Sequence, residues 1–292
     1  MPIKHLVISG GGPLGFQFLG ALQKLEKEKF WKFDDIESIY GTSVGSIIGA
    51  FICLKYDWET LNKYVIERPW QDSIKINPNQ LLNFYTNKGI FDNNFFKIIF
   101  KSLLEAKDLT LNVTLKEFYE FSKIDLHIFT FELNRFDTLE LSHKTHPDLL
   151  LIDAITMSSS VPGIFMPVFS DNKCFIDGGI KHNYPLNQCL NDHNCKDEIL
   201  GIKYLKDNND FLVNIQKESS ILDFLFGFTT NVIHHIRKSI ELENINNEVI
   251  IYTDKNPFSL DSFTECYSNS ELRKNLIEIG EQTALDFLKE KL

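Results

Sequence analysis

Ile36-Glu37-Ser38-Ile39-Tyr40-Gly41-Thr42-Ser43-Val44-Gly45-Ser46-Ile47-Ile48-Gly49-Ala50-Phe51-Ile52-Cys53-Leu54 decides the fold. Residues 36–40 have the β-branched and aromatic content of a strand, and residues 46–54 are small and apolar, as in a buried helix. Only Gly-Thr-Ser-Val-Gly separates them. Glycines two before and two after a serine let a chain turn sharply without a Cβ clash, so the spacing predicts a strained strand-to-helix elbow. Upstream the pattern repeats. Residues 3–8 form a β-branched run that ends in Ser9-Gly10-Gly11-Gly12-Pro13-Leu14-Gly15, and Phe16, Leu19, Leu22 and Leu25 then recur at helical spacing. Two strand–turn–helix units in the first 56 residues predict an α/β protein, a sheet with helices on its faces.

Downstream, helices are expected over residues 58–66, 78–85, 93–104, 115–121 and 148–157. Strands are expected over 126–132, 138–142, 165–169, 173–176, 198–204, 211–215 and 249–253. The segments 219–242 and 270–292 read as helices, with Gly227 a potential break in the first. No repeat, low-complexity tract or long linker interrupts the chain, so the expectation is one domain over residues 1–292.

Composition narrows the function. The 292 residues are 43% hydrophobic and 24% charged, which excludes intrinsic disorder as the main state. A formal charge of -10 with no long basic stretch argues against nucleic acid as a partner. Five irregularly spaced cysteines fit a reducing compartment. Cys189 and Cys195, with His193 between them, lack the spacing of a metal site. The opening apolar run is too short for a secretory leader, and no run approaches a membrane span. The expected location is the cytoplasm or the periphery of a membrane. The 25 phenylalanines could include a lipid-facing surface; the greasy segments 91–104 and 221–228 read first as core, with an acyl channel or an interfacial amphipathic element as the alternative.

Ser43 is the candidate nucleophile, presented at the carboxyl end of a strand with a helix N-terminus behind it. The alternative is a serine that merely caps a buried helix. The glycine run at 10–15 is a candidate concavity of backbone N–H groups for an anion or a developing negative charge. Gly10, Gly12 and Gly15 satisfy G-x-G-x-x-G, but Tyr40-Gly41 occupy the place of the acidic residue that dinucleotide binding requires. A nucleophilic serine needs a base. His5, His127, His193, His234 and His235 have no persuasive setting, and His143, His146 and His182 read as loop residues. Asp177, in Phe175-Ile176-Asp177-Gly178-Gly179, ends an apolar strand at a tight turn and is the better candidate; an ordinary Asx-turn aspartate is the alternative. Burial would raise its basicity.

These residues, together with Lys88-Gly89-Ile90-Phe91-Asp92, Ser158-Ser159-Ser160-Val161-Pro162-Gly163-Ile164-Phe165-Met166-Pro167 and Asp177-Gly178-Gly179-Ile180-Lys181-His182-Asn183-Tyr184-Pro185, resemble the patatin-like lipid acyl hydrolases in order and spacing across residues 4–190. The resemblance implies a three-layer α/β/α fold with a mostly parallel central sheet. It further implies a serine lipid acyl hydrolase working through a Ser43–Asp177 dyad and an acyl-enzyme, with no metal or other cofactor. The oxyanion would rest on the loop of Gly11, Gly12, Leu14 and Gly15, and Gly10, Gly41, Gly45, Gly178 and Gly179 would support the turns. The implied partner is a lipid or lysolipid acyl ester, met through transient association with a membrane surface. Most members carry Arg or Lys where this chain has Leu14. That departure shifts the expectation from charged phospholipids toward neutral lipids and lysolipids, and leaves room for a catalytically silent lipid-binding protein that keeps the fold.

Overall fold

The computed structural model describes residues 1–73, 86–206, 214–219, 221–240, 243–253 and 260–291. The helix expected over 78–85 and most of the strand expected over 211–215 lie outside them.

Strands β1 (His5–Ile8), β2 (Ser38–Thr42) and the first half of β4 (Asp125–Glu132) lie parallel, and β9 (Ile199–Lys206) and β10 (Glu248–Thr253) extend the parallel sheet beyond β1. Three antiparallel strands complete it: β5 (Asp137–Leu141) and β8 (Lys173–Asp177) on β4, and β7 (Val168–Ser170) on β8. A separate pair joins β3 (Gly89–Phe91) to β6 (Gly163–Phe165). β1, β2 and β4 are buried along their whole length, as strands covered on both faces must be.

The two faces are different. Leu6, Ile8, Ile39, Leu126 and Ile128 point into the main core, shared with α1 (Gly15–Lys27), α2 (Val44–Cys53), α5 (Asn94–Glu105) and α7 (Leu151–Ser159). The short helices α3 (Trp58–Asn62) and α4 (Trp70–Ser73) cap this side, and α6 (Leu115–Ser122) starts at a capping box of Thr114 and Glu117. Val7, Tyr40 and Phe129 point the other way, onto α8 (Leu186–His193). Phe131 and Ile176 form a small cluster against Ile233 and Ile236 of α9 (Ile221–Lys238). The result is the three-layer α/β/α arrangement that the sequence implied. α10 (Leu260–Ser268) leads into the closing helix α11 (Ser270–Glu290), which crosses α1 so tightly that a Cβ on Gly20 would lie 2.0 Å from the Ile277 carbonyl oxygen.

Some expectations need correcting. Residues 165–169 are not one strand: the pairing switches sheets at Met166-Pro167, where proline has no amide for a ladder. The helix expected over 58–66 passes from α3 into a wider π turn at Lys63–Glu67. Gly227 does not break α9, and α10 was not anticipated.

Candidate active site

Ser43 lies where β2 becomes α2, with φ 54° and ψ −123°, a left-handed-side conformation that costs a non-glycine residue about 1–3 kcal/mol. The surroundings hold it there. Its amide donates to Ser158 Oγ (2.9 Å), and its carbonyl accepts from the Ser46 amide (2.9 Å) and hydroxyl (2.6 Å). The flanking glycines are a steric requirement. A Cβ on Gly45 would come within 2.2 Å of the Ile8 carbonyl oxygen at the end of β1, and one on Gly41 within 2.6 Å of Gly45 backbone. The turn therefore packs backbone against backbone, and the serine is only 4% exposed.

Register brings Asp177 to the same place. Residues 128 and 129 of β4 pair with both β2 and β5, and residues 130–132 pair with both β5 and β8. A strand has two edges, so β2 and β8 share one edge of β4, end to end, with β5 along the other. Thr42 pairs with Phe129 and Asp177 with Thr130, so the last residues of the two strands meet across one peptide unit of β4. The Ser158 hydroxyl, besides accepting from Ser43, donates to the Phe129 carbonyl (2.6 Å). The Thr130 hydroxyl sits 3.0 Å from the carbonyl oxygens of both Met157 and Ile176, and the Asp177 amide donates to Ser160 O (3.0 Å). The serine-rich end of α7 thus binds both strand ends into the junction.

The Asp177 carboxyl is buried. Oδ1 accepts from the Gly179 amide (2.7 Å), and Oδ2 closes no hydrogen bond of ordinary geometry. Burial raises its pKa above the usual aspartate value; the neighbouring Ser43 hydroxyl, the Gly179 amide and the Arg237 charge draw it part of the way back. The outcome is a carboxylate more basic than one in water, with one oxygen open beside a hydroxyl.

The glycine loop lies over this pair. A Cβ on Gly10 would be 3.2 Å from Ser43 Cβ, and one on Gly15 would be 2.2 Å from Val44 Cγ2, so the two ends of the loop bracket residues 43 and 44. Gly12–Leu14 form a 3-10 turn in which the Leu14 amide donates to Gly11 O (3.1 Å) and the Gly15 amide to the carbonyls of Gly12 and Pro13. Pro13 has no N–H, and the Gly10 amide donates to Asn183 O (2.9 Å). The amides of Gly11 and Gly12 remain without a partner among the described residues. The amides of Leu14 and Gly15, which the resemblance places in the same oxyanion loop, are engaged within the turn. The Leu14 side chain is 7% exposed and packs in the main core.

Sequence reasoning missed several contributors. Asn183 grips the loop twice, through its carbonyl to the Gly10 amide and through Nδ2 to Gly10 O (3.2 Å). Ser158 and Thr130 form the junction, and Arg237 of α9 donates to the Gly179 carbonyl. Ser158 and Asn183 were visible only as members of longer motifs. Nothing marked Thr130 or Arg237.

The histidines go elsewhere. His182 Nδ1 pairs with Thr138 Oγ1 (2.6 Å), and its carbonyl accepts from Thr42 Oγ1 (2.8 Å). At the opposite ends of the strands, His127 lies between Glu140 (2.7 Å) and Asp125 (3.2 Å) and stacks on Tyr40, whose hydroxyl donates to Asp192 (2.6 Å). Burial would lower the His127 pKa, but the two carboxylates outweigh it and raise it to about 9. His127, read as having no persuasive setting, is the centre of a buried ion network away from Ser43.

Beside the elbow an apolar recess encloses about 630 Å³, its mouth included. Its lining includes Gly12 and Pro13 of the loop, Val44, Ile47 and Phe51 of α2, and Tyr267. Among the described residues no group of His, Cys, Asp and Glu is arranged to hold a metal ion, and no helix is long and apolar enough to cross a membrane.

A strained serine elbow, a buried strand-end carboxyl and a glycine loop on one mixed sheet are the features that define a class, and comparison identifies it. The chain belongs to the patatin-like phospholipase family, whose model matches residues 6–190. A protein of Invertebrate iridescent virus 6 described as a probable lipid hydrolase is 28% identical over 198 residues, covering 67% of this chain and 66% of its own. An uncharacterized protein of Acanthamoeba polyphaga mimivirus is 29% identical over 210 residues, covering 71% and 67%. Among solved structures, VipD from Legionella pneumophila matches with a TM-score of 0.57 at 15% identity, over 99% of this chain and 67% of that one. ExoU of Pseudomonas aeruginosa, in its complex with SpcU, gives 0.52 at 18% identity, over 100% and 52%. At such identities these structures speak for the fold alone. The chain spans about two thirds of the length of the two viral relatives.

Proposed function

We propose that the protein is a serine hydrolase of lipid acyl esters working through Ser43 and Asp177. The observation that carries this reading is the shared edge of β4, which brings a strained serine and a buried, basic carboxyl together beneath two unpartnered amides. Ser43 Oγ attacks the ester carbonyl carbon while its proton passes to Asp177 Oδ2. The carbonyl oxygen takes the negative charge and accepts from the Gly11 and Gly12 amides, with the positive end of α2 beneath. Removing one such donor costs about 3 kcal/mol of transition-state stabilisation, so the loop geometry matters as much as the serine. The tetrahedral adduct collapses, the C–O bond to the alcohol or lysolipid breaks, and Asp177 returns the proton to the departing oxygen. Water, deprotonated by the same carboxylate, then attacks the acyl-enzyme, and fatty acid leaves as Ser43 regains its proton. Every proton is carried by one carboxyl, so the cycle calls on no histidine.

The apolar recess supports an acyl chain as the group transferred, because its lining includes Val44, the residue after Ser43, and three further side chains of α2, Ile47, Ile48 and Phe51. The description of the iridescent-virus relative as a lipid hydrolase agrees with this reading.

The test is fatty-acid release from phosphatidylcholine, phosphatidylglycerol, lysophosphatidylcholine, a triglyceride and p-nitrophenyl butyrate, with chelator present and Ser43→Ala alongside, together with fluorophosphonate labelling. Labelling and release that survive chelator and vanish in Ser43→Ala are expected, and the ranking of lipids names the headgroup. Labelling that persists in Ser43→Ala would move the nucleophile elsewhere. A folded wild-type protein that neither labels nor releases fatty acid from any lipid would make it a lipid-binding protein that has kept the fold.

A further inference from the structure

α9 packs on the sheet through the second half of its length. Ile233 and Ile236 face the cluster of Phe131, Cys174, Ile176 and Ile180 on the sheet. Beside them, turned toward solvent, Ile221, Phe224, Phe228 and Val232 follow one another at helical spacing, each between 39% and 69% exposed. The stripe covers three turns, and the next positions on the same side, His235 and Lys238, are exposed and polar. The helix is thus amphipathic across its axis and graded along it, apolar first and cationic last. Two further exposed aromatics stand around the same cluster: Phe136 packs edge-on against Phe131, and Phe169 pairs in register with Cys174. A monomeric protein in water rarely gathers so many large apolar side chains in one place without use.

The position of the helix says what the use is. Its last turn carries Arg237, which donates to the carbonyl of Gly179, the residue whose amide holds Asp177 Oδ1. The last turn of α9 therefore lies against the catalytic turn, held there by Arg237 from the side of the helix that faces the protein. We propose that the outer face of α9, with Phe136 and Phe169, is the surface that docks the protein onto a lipid bilayer. Ile221, Phe224, Phe228 and Val232 would enter the acyl boundary, and Lys238 would meet anionic headgroups at the site's rim. A lipid surface is favoured over a protein by charge and by place. With a net charge of -10, the protein meets an anionic bilayer most favourably through a cationic side chain, and the exposed Lys238 stands in the turn of α9 that adjoins Gly179. The choice of a bilayer rests on the function proposed above, but the docking itself can be read without turnover.

The experiment is flotation of Ser43→Ala protein with vesicles of phosphatidylcholine and phosphatidylglycerol, so that binding is measured with no reaction under way. Replacing both Phe224 and Phe228 with Ser should lower the bound fraction at least tenfold, replacing both with Leu should preserve it, and all proteins should melt within a few degrees of one another. Lys238→Glu should weaken binding to vesicles containing phosphatidylglycerol more than to pure phosphatidylcholine. In proteins that retain Ser43, the ratio of vesicle turnover to p-nitrophenyl butyrate turnover should fall in parallel. The proposal is overturned if wild-type surface residues give no flotation, or if the double Ser variant floats as well as its parent. A dimer that the same Ser variant dissolves, with flotation unchanged, would assign the face to a second copy of this chain instead. Loss of fluorophosphonate labelling would count against the hydrolase reading and leave the flotation result standing.

Discussion

Ser158→Ala is the sharpest test of the junction. Its hydroxyl accepts from the Ser43 amide at 2.9 Å and donates to the Phe129 carbonyl at 2.6 Å, and the side chain is fully buried. Alanine leaves the Ser43 amide without a partner, which costs about 1–3 kcal/mol, and removes a second hydrogen bond worth about 1 kcal/mol. For a chain of this size, a loss of about 2–4 kcal/mol lowers Tm by roughly 3–7 °C. The amide being orphaned belongs to the residue with the strained backbone, so the elbow should relax and carry the serine oxygen away from Asp177. A displacement of about 1 Å is enough for a 100-fold loss. Turnover of p-nitrophenyl butyrate, measured well below both melting temperatures, should show kcat reduced about 10- to 100-fold with KM little changed. A purely structural role would lower Tm and spare kcat. If Ser158→Ala melts within 1 °C of wild type and keeps kcat within twofold, the account of the junction is wrong.

Three further outcomes follow from the same geometry. Asp177→Asn should abolish turnover, by about 10²–10⁴-fold, while unfolding at neutral pH no more easily than wild type; a raised carboxyl pKa means that ionisation opposes folding, so wild-type stability should fall as pH rises through the folded value and the Asn protein should lack that slope in denaturant titrations. His127 behaves alike in sign but for the opposite reason: its stabilisation as a cation between Asp125 and Glu140 is complete below about 6.5 and is lost as pH rises through about 9, so stability measured from pH 7 to 10 should drop by roughly 3 kcal/mol in wild type and stay level in His127→Gln. Ile47→Phe adds bulk to the wall of the apolar recess and should shift preference among p-nitrophenyl esters toward shorter acyl chains, with fluorophosphonate labelling retained; an unchanged chain-length profile would place the acyl chain elsewhere.

Legibility of the sequence followed the range of the interactions. The elbow was readable because every constraint on it is local: a strand, two glycines that must be glycine, and a helix, all within about a dozen residues. Asp177 was readable as a strand-end carboxyl, but its partnership with Ser43 depends on both strands choosing one edge of β4, and the chemistry-bearing residues alone do not state that choice. The division of labour among the loop amides was hidden for another reason. Leu14 and Gly15 carry the same backbone donors as Gly11 and Gly12, and only the 3-10 turn removes them from use. His127 looked unremarkable because its partners, Glu140 and Tyr40, come from neighbouring strands. The alternation Asp125, His127, Phe129, Phe131 along β4 did carry the signal that one face begins charged and ends apolar. Arg237 was out of reach, since only the packing of α9 brings it to Gly179.

The shared edge of β4 also governs when the site comes into being. Ser158 lies 115 positions beyond Ser43, and the carboxylate follows later still, on a strand that can be held only after β4 has been laid down. During synthesis Ser43 therefore emerges long before Asp177, and under the mechanism proposed above a nascent chain halted before β8 carries a serine with no carboxylate to take its proton. These are contacts of high sequence separation, which form late and only with the whole sheet. A site assembled in this order stays incomplete until β8 has paired with β4.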